Sequence, residues 1–416
     1  MTSILGDTDV RRFVVARALS RLGDAVYPIG LTAAMLSAGY GISEVGFVLG
    51  AAMGPVVLLM LVGGVVLDHF HPRIPMIVAD LARCLLQGCV ALLFLTGRPA
   101  MWQIIALSAS IGVAQAFFQP GVAGLLRQLA PTRLQEANAT VRTTESIVAL
   151  AGPALAGLLI AVTDASVVIA MDALSYAASG WLLWRIRKAP AMRPTGPPRV
   201  WRDLATGWQE FSSRPWLWSV VSMFTLFGLV VFGPFDVLKA VLLIDRFGAS
   251  TYGLLISAFP LGAIAGGLLG LWIKPGRPLR TGIMALAGLA PLPAAIALEA
   301  PLAVLALAMV LGGTANAFWA VTWATAVQSQ SPPHALSRIS AYDVIGSTGL
   351  MPVGRALTGP AAAQVGAATV LLSSSAFLVL GCAVLLLVPS VVRMSRIPAV
   401  TKKPHPAPSA SHVREA

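Results

Sequence analysis

The feature that most constrains this chain is a series of about twelve apolar runs, each long enough to cross a lipid bilayer. A membrane-spanning α-helix needs about 20 mainly apolar residues. Only 11% of the residues are charged, against about 25% in soluble domains, so a soluble fold could not bury this much apolar surface. We therefore expect an all-α integral membrane protein with about twelve transmembrane helices. The runs lie at about 12–36, 42–67, 74–96, 101–127, 138–162, 166–187, 216–244, 249–273, 280–298, 301–328, 337–362 and 366–391.

A polar segment near the middle of the chain divides these runs into two sets of six. Residues 188–215 are rich in proline and arginine, which predicts a cytoplasmic linker. We expect one six-helix bundle over 1–187 and a second over 216–392. The basic tail, 393–416, is rich in Pro, Ala and Ser, a composition typical of disordered segments.

The two halves share a faint internal repeat, which favours two pseudo-symmetric bundles. The pair Phe117-Phe118 precedes a polar turn in the fourth run, and Phe318-Trp319 does the same in the tenth. Repeated halves are a common way to build secondary transporters, in which the substrate site lies at the interface between the repeats.

Lysine and arginine residues concentrate in alternate connecting segments, including the N-terminus, the linker and the tail. Cytoplasmic loops carry an excess of these residues, so we expect a multi-pass protein of the plasma membrane with both termini in the cytoplasm. The net charge of +12 does not indicate nucleic-acid binding. The basic residues that give this charge lie in loops and are not interleaved with aromatic residues.

Residue patterns typical of enzymes are missing from the sequence. The three cysteines lie in apolar runs and have no metal-site spacing with histidine. There is no glycine-rich phosphate loop and no Ser/His/Asp or Cys/His arrangement that supports catalysis. We expect no enzymatic activity, no cofactor and no metal. The expected partners are a small-molecule substrate, protons and the lipid bilayer, with the protein acting as a monomer.

The turn between the second and third runs contains Gly64, Asp68 and Arg73. With the two six-helix halves and the basic central loop, it resembles the G-x-x-x-D-[RK]-x-x-R-R signature of the major facilitator superfamily. The sequence departs from that signature at His69, where arginine is usual, and at Pro72, which lies within the basic pair. The resemblance implies a twelve-helix fold in two bundles that rock around a central site.

Further segments resemble the macrolide and siderophore exporters, a branch of drug:proton antiporters. These are RALSRLGDAVY, ADLARC, FFQPGVAGLLRQLAPTRLQEANA, GPALAG and MDALSYAASG, and the resemblance covers about residues 10–392. It implies a secondary active transporter that exports amphipathic organic molecules, drugs or natural products, by proton-coupled alternating access. The alternatives are an uncoupled facilitator or lipid-type flippase on the same scaffold, and a membrane sensor or scaffold that transports nothing.

Charged residues inside the first run are candidates for proton coupling, because intramembrane charges are costly and usually functional. Arg17, Arg21 and Asp24 are spaced by four and three residues, so they share one helical face. Burial favours the neutral form of Asp24, whereas Arg21 favours its ionised form. Glu145 in the fifth run is the third candidate for proton coupling, after Asp24 and Arg21. The alternative for this group is a permanent ion-pair clamp that fixes helix packing.

A second set of residues suggests a gate at the cytoplasmic surface. Asp80 and Arg83 lie three residues apart on one face of the third run. We expect Arg73 to bind Asp80 or Glu145, which would make the turn a latch. The predicted gating motif comprises Gly64, Asp68, Arg73, Asp80 and Arg83.

Three more charged residues lie near the predicted outer ends of runs. Asp172 is in the sixth run, and Asp236 and Lys239 are in the seventh. We expect these groups to be in contact with water at the membrane interface, with Asp236 and Lys239 paired.

Polar and aromatic residues of the fourth, tenth and eleventh runs are candidates for the wall of a substrate cavity. A mostly apolar cavity with a few hydrogen-bonding groups suits large amphipathic molecules. Packing or lipid-facing positions are the alternative. The candidates are Gln115, Phe118, Gln119, Asn316, Trp319, Trp323 and Arg355, the last as a possible partner of an anionic group.

The fifth run contains Gly152, Pro153 and Gly157, which resemble the exporter motif of the superfamily. Small residues allow helices to approach closely, and proline bends a helix. The motif favours export over import, and a simple packing kink is the alternative.

Overall fold

The computed structural model describes residues 4–67, 71–187, 207–273, 275–331 and 336–395. Within these ranges every regular element is helical. The N-terminal half consists of six long helices, preceded by one turn of 3-10 helix at Ile4–Gly6. We number them spans 1 to 6: Thr8–Ser37, Ile42–Leu67, Arg73–Thr96, Met101–Leu129, Leu134–Val162 and Ala165–Trp184.

The described part of the C-terminal half also holds six spans, but three of them are interrupted. Span 7 joins the helix Pro215–Phe227, a π-helical turn at Gly228–Phe232 and the start of the helix Gly233–Trp272. Gly248 divides that last helix with φ of 80°, a conformation that glycine adopts readily, and span 8 follows it.

The remaining spans follow in order. Span 9 contains Pro278–Leu286, the 3-10 turn Ala287–Leu289 and Pro291–Ala297; span 10 is Leu302–Gln330; span 11 contains Leu336–Thr348 and Met351–Val365; span 12 is Ala367–Leu387, with the short helix Pro389–Val392 after it.

Nine segments among the described residues are long and apolar enough to cross a membrane by length and composition alone. One of them, Pro215–Trp272, contains both span 7 and span 8. Span 1 is not among the nine and carries several charged residues, and span 11 is divided into helices of 13 and 15 residues. With these two, the described chain has the twelve-helix membrane architecture predicted from the apolar runs.

The helices present apolar side chains outward and keep charged groups inside. Leu387 is 80% exposed and Leu85 is 71% exposed, whereas Arg83 is 1% and Asp80 is 0% exposed. Apolar side chains can face lipid without cost, but a buried charge must find a partner within the protein. A functional site is therefore expected in this charged interior.

The two halves pack against each other along two seams that include glycine residues. A Cβ atom on Gly46 of span 2 would lie 2.5 Å from the carbonyl oxygen of Arg355 in span 11. A Cβ atom on Gly157 of span 5 would lie 2.6 Å from the carbonyl oxygen of Ser250 in span 8. Larger side chains would therefore push the two halves apart at both seams.

Both seams lie near the same end of the molecule. They are close in sequence to the connections at 38–41 and 163–164, to Gly248 and to Gly366. The distribution of basic residues predicts that these connections face outside, and we call this end the outer end. Packing along the seams closes the path between the two halves there.

Candidate functional site

A network of ion pairs joins span 1 to span 5. Nε of Arg17 lies 2.6 Å from Oε1 of Glu145, and Nε of Arg21 lies 3.3 Å from the same oxygen. Nη1 of Arg21 also lies 3.3 Å from Oδ2 of Asp24. All three proton-coupling candidates therefore belong to one connected network.

Asp24 extends this network to spans 3 and 6. Its Oδ1 accepts a hydrogen bond from the hydroxyl of Tyr176 at 2.9 Å and from Nη1 of Arg83 at 3.4 Å. The guanidinium of Arg83 also lies over the rings of Tyr176 and Phe118, at 5.1 Å and 5.4 Å from their centroids. With Arg21, three donors from three helices therefore contact this carboxylate, and charge-assisted bonds of this kind are the stronger ones.

Asp80 and Arg83 share one face of span 3, as their spacing predicted, but they have different partners. Asp80 is fully buried and accepts a hydrogen bond from the hydroxyl of Ser179 at 2.6 Å. Arg83 binds Asp24. Both residues thus lie in the interior of the N-terminal half and pack against span 6.

The latch predicted between spans 2 and 3 is described only in part. Asp68 lies outside the described residues, and Gly64 lies within span 2. The side chain of Arg73 donates a hydrogen bond to the carbonyl oxygen of Trp184 at the end of span 6. Arg73 therefore contacts neither Asp80 nor Glu145, contrary to expectation. Asp80 is fully buried beside Ser179, and Glu145 is paired with Arg17 and Arg21.

The expectation that Asp172 contacts water is wrong. Its exposed fraction is 4%, and its carboxylate lies beside Gly23 of span 1. The sequence did contain a signal for this position. Asp172, Tyr176 and Ser179 are spaced by four and three residues, so they form one polar face on an otherwise apolar helix.

A second charged cluster lies in the C-terminal half. Nζ of Lys239 lies 3.1 Å from Oδ1 of Asp236, and Nη2 of Arg355 lies 2.8 Å from Oδ2 of the same carboxylate. Nη1 of Arg355 donates to the carbonyl oxygen of Leu49 in span 2, at 3.4 Å. Asp236 and Lys239 are paired as expected, but they are not simply a water-exposed pair, because Arg355 joins them to the other half.

A cavity of about 460 Å³, which we call the central cavity, separates these two clusters. Part of its wall is apolar and aromatic, including Met53, Ile111, Tyr252 and Ile256. Charged groups enter from both halves. They are Asp24 and Arg83 from the N-terminal half, and Asp236, Lys239 and Arg355 from the C-terminal half.

Asp24 also lines a second cavity, of about 520 Å³. Arg21, Arg142 and Glu145 contribute to its wall. Arg142 and Glu145 lie in the part of span 5 remote from the seam at Gly157. Asp24 is therefore placed between the central cavity and a cavity on the side away from the closed outer end.

Only Gln115 and Arg355 of the residues predicted to line a cavity are part of the central cavity wall. Phe118 is buried beneath Arg17 and Arg83, and Gln119 accepts a hydrogen bond from Arg17 at 3.1 Å. These two positions support the charge network of the N-terminal half.

The aromatic candidates of span 10 belong to the interior of the C-terminal half. Trp319 stacks between Phe224 and Trp323, at centroid distances of 5.3 Å and 5.6 Å. Nε1 of Trp323 donates to Oδ2 of Asp343 at 2.9 Å. Asn316 is half-buried on the same span.

We expect Trp323→Phe to destabilise the protein by about 1–3 kcal/mol without changing substrate affinity. The change keeps an aromatic ring but leaves the carboxylate of Asp343 without its indole donor, and an unsatisfied buried acceptor carries a cost of that size. Thermal unfolding in detergent and transport kinetics would measure the two effects. Trp218→Phe is the control, since Trp218 is 44% exposed. A raised KM with unchanged stability would place Trp323 in the substrate site instead.

The three residues of the predicted exporter motif lie where span 5 meets its neighbours. A Cβ atom on Gly152 would lie 2.7 Å from Cβ of Ala25 in span 1. Pro153 and Gly157 contact Gly253 of span 8, in the second seam. Span 5 continues as a single helix through Pro153.

Among the described residues, no group of three or more His, Cys, Asp or Glu side chains is arranged to hold a metal ion. The charged clusters instead pair acids with arginine and lysine. Such an arrangement can bind charged groups of a substrate and can exchange protons.

A sequence model of the Major Facilitator Superfamily matches residues 13–354. The chain belongs to this superfamily. No curated protein matches the sequence. Membership, together with the helical membrane fold, makes the protein a transporter of the Major Facilitator type.

Solved structures of Major Facilitator type match nearly the whole chain. A mutant of the nucleoside transporter NupG has a TM-score of 0.77 and 12% identity, over 91% of this chain and 99% of its own. A bacterial homologue of the human lysosomal transporter Spinster has a TM-score of 0.69 and 14% identity, over 96% and 100%. A bacterial homologue of the iron transporter ferroportin has a TM-score of 0.68 and 16% identity, over 92% and 99%. Identities this low establish the shared fold and leave the cargo open.

Proposed function

We propose that this Major Facilitator protein is a proton-coupled efflux transporter for amphipathic organic small molecules. The observation that carries the proposal is the central cavity, whose partly apolar wall has a charged cluster in each half. An apolar wall suits the body of an amphipathic molecule, and a few charged groups can orient its polar end. The segments that resemble drug and natural-product exporters support the outward direction.

Alternating access would follow from separation of the two glycine-containing seams. The outer end is closed, and Asp24 lies next to a cavity on the opposite side. This arrangement is an inward-facing state if the termini lie in the cytoplasm of a plasma-membrane protein. Rocking of one half against the other around the central cavity would then present the cargo to the outside. We propose that a single chain suffices, because the cavity is built from its own two halves.

The proton is proposed to act through Asp24. Its bonds to Arg21, Arg83 and Tyr176 stabilise the ionised carboxylate. Protonation would weaken the two ion pairs and leave the arginines free to move or to bind an anionic group. Entry of one proton down a membrane potential supplies about 2.3 kcal/mol per 100 mV. A permanent clamp would make the same contacts but would not respond to a pH gradient.

The decisive experiment measures the pH dependence of transport in proteoliposomes. We expect uptake of a macrolide antibiotic or a catecholate siderophore by inside-out protein when the lumen is acidic. Collapse of the gradient with nigericin should remove that uptake. Transport that is unaffected by nigericin would instead identify an uncoupled facilitator or a flippase. Failure to move any amphipathic compound of a broad panel would exclude the efflux proposal.

We expect Arg355→Gln to raise KM for anionic cargo by about tenfold, equivalent to about 1.4 kcal/mol. The change removes a cation from the cavity wall and leaves Asp236 paired only with Lys239. Cargo without a negative charge should be much less affected. Initial transport rates against concentration would measure the effect. Arg98→Gln, outside the central cavity, is the control. An equal loss for cationic and anionic cargo would assign Arg355 to the seam rather than to substrate binding.

A further inference from the structure

Two acids of the N-terminal half lack an ion-pair partner. Asp80 and Asp172 are 0% and 4% exposed, and each has one carboxylate oxygen without a hydrogen-bond partner in the described structure. Their other carboxylate oxygens accept hydrogen bonds from the hydroxyl groups of Ser179 and Ser175, respectively. A buried ionised carboxylate is costly without a cation, so protonation is a direct way to accommodate such a group.

The charged network of the N-terminal half does not contain equal numbers of acids and arginines. Within the described N-terminal half, the acids of the intramembrane network outnumber its arginines by one. The acids are Asp24, Asp80, Glu145 and Asp172, and the arginines are Arg17, Arg21 and Arg83. One bound proton would therefore make these seven groups neutral; Arg142, which lines the second cavity, is exposed and is not counted with them.

Asp172 lies next to the acid that faces the cavity. Gly23 leaves space for its carboxylate, since a Cβ atom there would overlap Oδ1 of Asp172 and lie 2.8 Å from the ring of Tyr176. The hydroxyl of Tyr176 binds Asp24. Asp172 and the ring of Tyr176 thus both lie against Gly23, the residue that precedes the acid at the cavity wall. Asp80 of span 3 lies opposite Ser179, which is two turns further along span 6 than Asp172.

The groups facing Asp172 come from three helices. Span 1 contributes Asp24 and Tyr27, span 3 contributes Arg83 and Gln87, and its own span contributes Ser175 and Tyr176. Arg83 is the cation of this set, and it is bound to Asp24. Protonation of Asp24 would release Arg83, and return of that proton to another acid would restore the ion pair.

We infer that Asp172 is the residue that stores the coupling proton, which it exchanges with Asp24. This inference rests on the proposed function, since it concerns the same proton. In the exchange, the O–H bond of protonated Asp24 breaks and an O–H bond forms on the carboxylate of Asp172. Asp24 becomes ionised and rebinds Arg21 and Arg83, while Asp172 becomes neutral. No oxidant, reductant or other reactant takes part.

Infrared spectroscopy of the purified full-length protein tests the inference directly, because a protonated carboxyl group absorbs apart from a carboxylate. At neutral pH we expect a protonated-carboxyl band that disappears in Asp172→Asn. The asparagine has nearly the shape of the neutral acid, so the variant should remain folded, as judged by thermal unfolding. Asp80→Asn is the matched control and should retain the band.

Two results would overturn the inference. One is an unchanged band in folded Asp172→Asn, and the other is its selective loss in Asp80→Asn. Failure of the proposed function would be distinguishable from failure of this inference. In that case transport would be indifferent to the pH gradient, while the infrared band would still be assigned to Asp172. If Asp172→Asn misfolds, Gly23→Ala gives a second test. It should shift the carboxyl band by crowding Asp172, and an unshifted band also counts against the inference.

Discussion

Asp24→Asn is expected to abolish transport driven by a pH gradient, with a loss of at least about 100-fold. The carboxylate faces the central cavity and contacts Arg21, Arg83 and Tyr176. Asparagine keeps the shape but can neither carry a negative charge nor exchange a proton. A loss of this size is equivalent to about 2.7 kcal/mol. Gradient-driven uptake into proteoliposomes would measure it, and cargo exchange without a gradient should persist.

Stability must be measured alongside transport for this variant. Removal of one partner of a buried ion pair costs about 3–5 kcal/mol, and Arg83 would lose its carboxylate partner. Thermal unfolding and size-exclusion chromatography would show whether folded protein is being assayed. Glu136→Gln is the control, because this exposed acid pairs with exposed Arg133. Undiminished gradient-driven transport by folded Asp24→Asn would remove Asp24 from the coupling mechanism.

Gly253→Leu is expected to open the outer end and to reduce transport to below about a tenth of the normal rate, a change of about 1.4 kcal/mol or more. Even a Cβ atom on Gly253 would lie 2.8 Å from the Cα of Gly157 and closer still to the carbonyl oxygen of Pro153. The larger side chain should force spans 5 and 8 apart and hinder the return to the closed outer end.

Spin labels at Val162 and Leu302 would measure this opening, in a protein whose three native cysteines have been replaced. Both positions are exposed, at 73% and 42%, near the outer end of opposite halves. We expect a longer interspin distance in Gly253→Leu. Gly267→Leu is the control on the same span, since a Cβ atom there meets nothing within 4 Å. An unchanged distance would contradict the role assigned to this seam.

The sequence predicted the helices and the local pairs well, because both depend on short spacings. The apolar runs located the spans, and a three-residue spacing identified the contacts of Arg21 with Asp24 and of Lys239 with Asp236. The partners from other helices could not be obtained in this way. Arg83 meets Asp24 across 59 residues of sequence, and helical periodicity does not specify which helices become neighbours.

The cavity wall was harder to predict than the fold. Trp319 and Trp323 could equally line a cavity or fill the interior of their own bundle, and periodicity does not distinguish the two faces. Asp172 was placed in water because it lies near the end of a run. The length of a helix does not reveal how deeply its neighbours cover that end, whereas the polar face shared with Tyr176 and Ser179 was informative.

The contrast between unbroken spans in the N-terminal half and interrupted spans in the C-terminal half has an evolutionary consequence. Unbroken helices carry the arginine–carboxylate network, so substitutions there would disturb the proton exchange proposed above. The π-turn at Gly228–Phe232 and the break before Met351 place irregular backbone in the other half. Irregular helical turns of this kind are frequent at functional sites. Under the proposed mechanism, selection could therefore alter cargo preference through the C-terminal half while the proton coupling proposed for the N-terminal half stays the same.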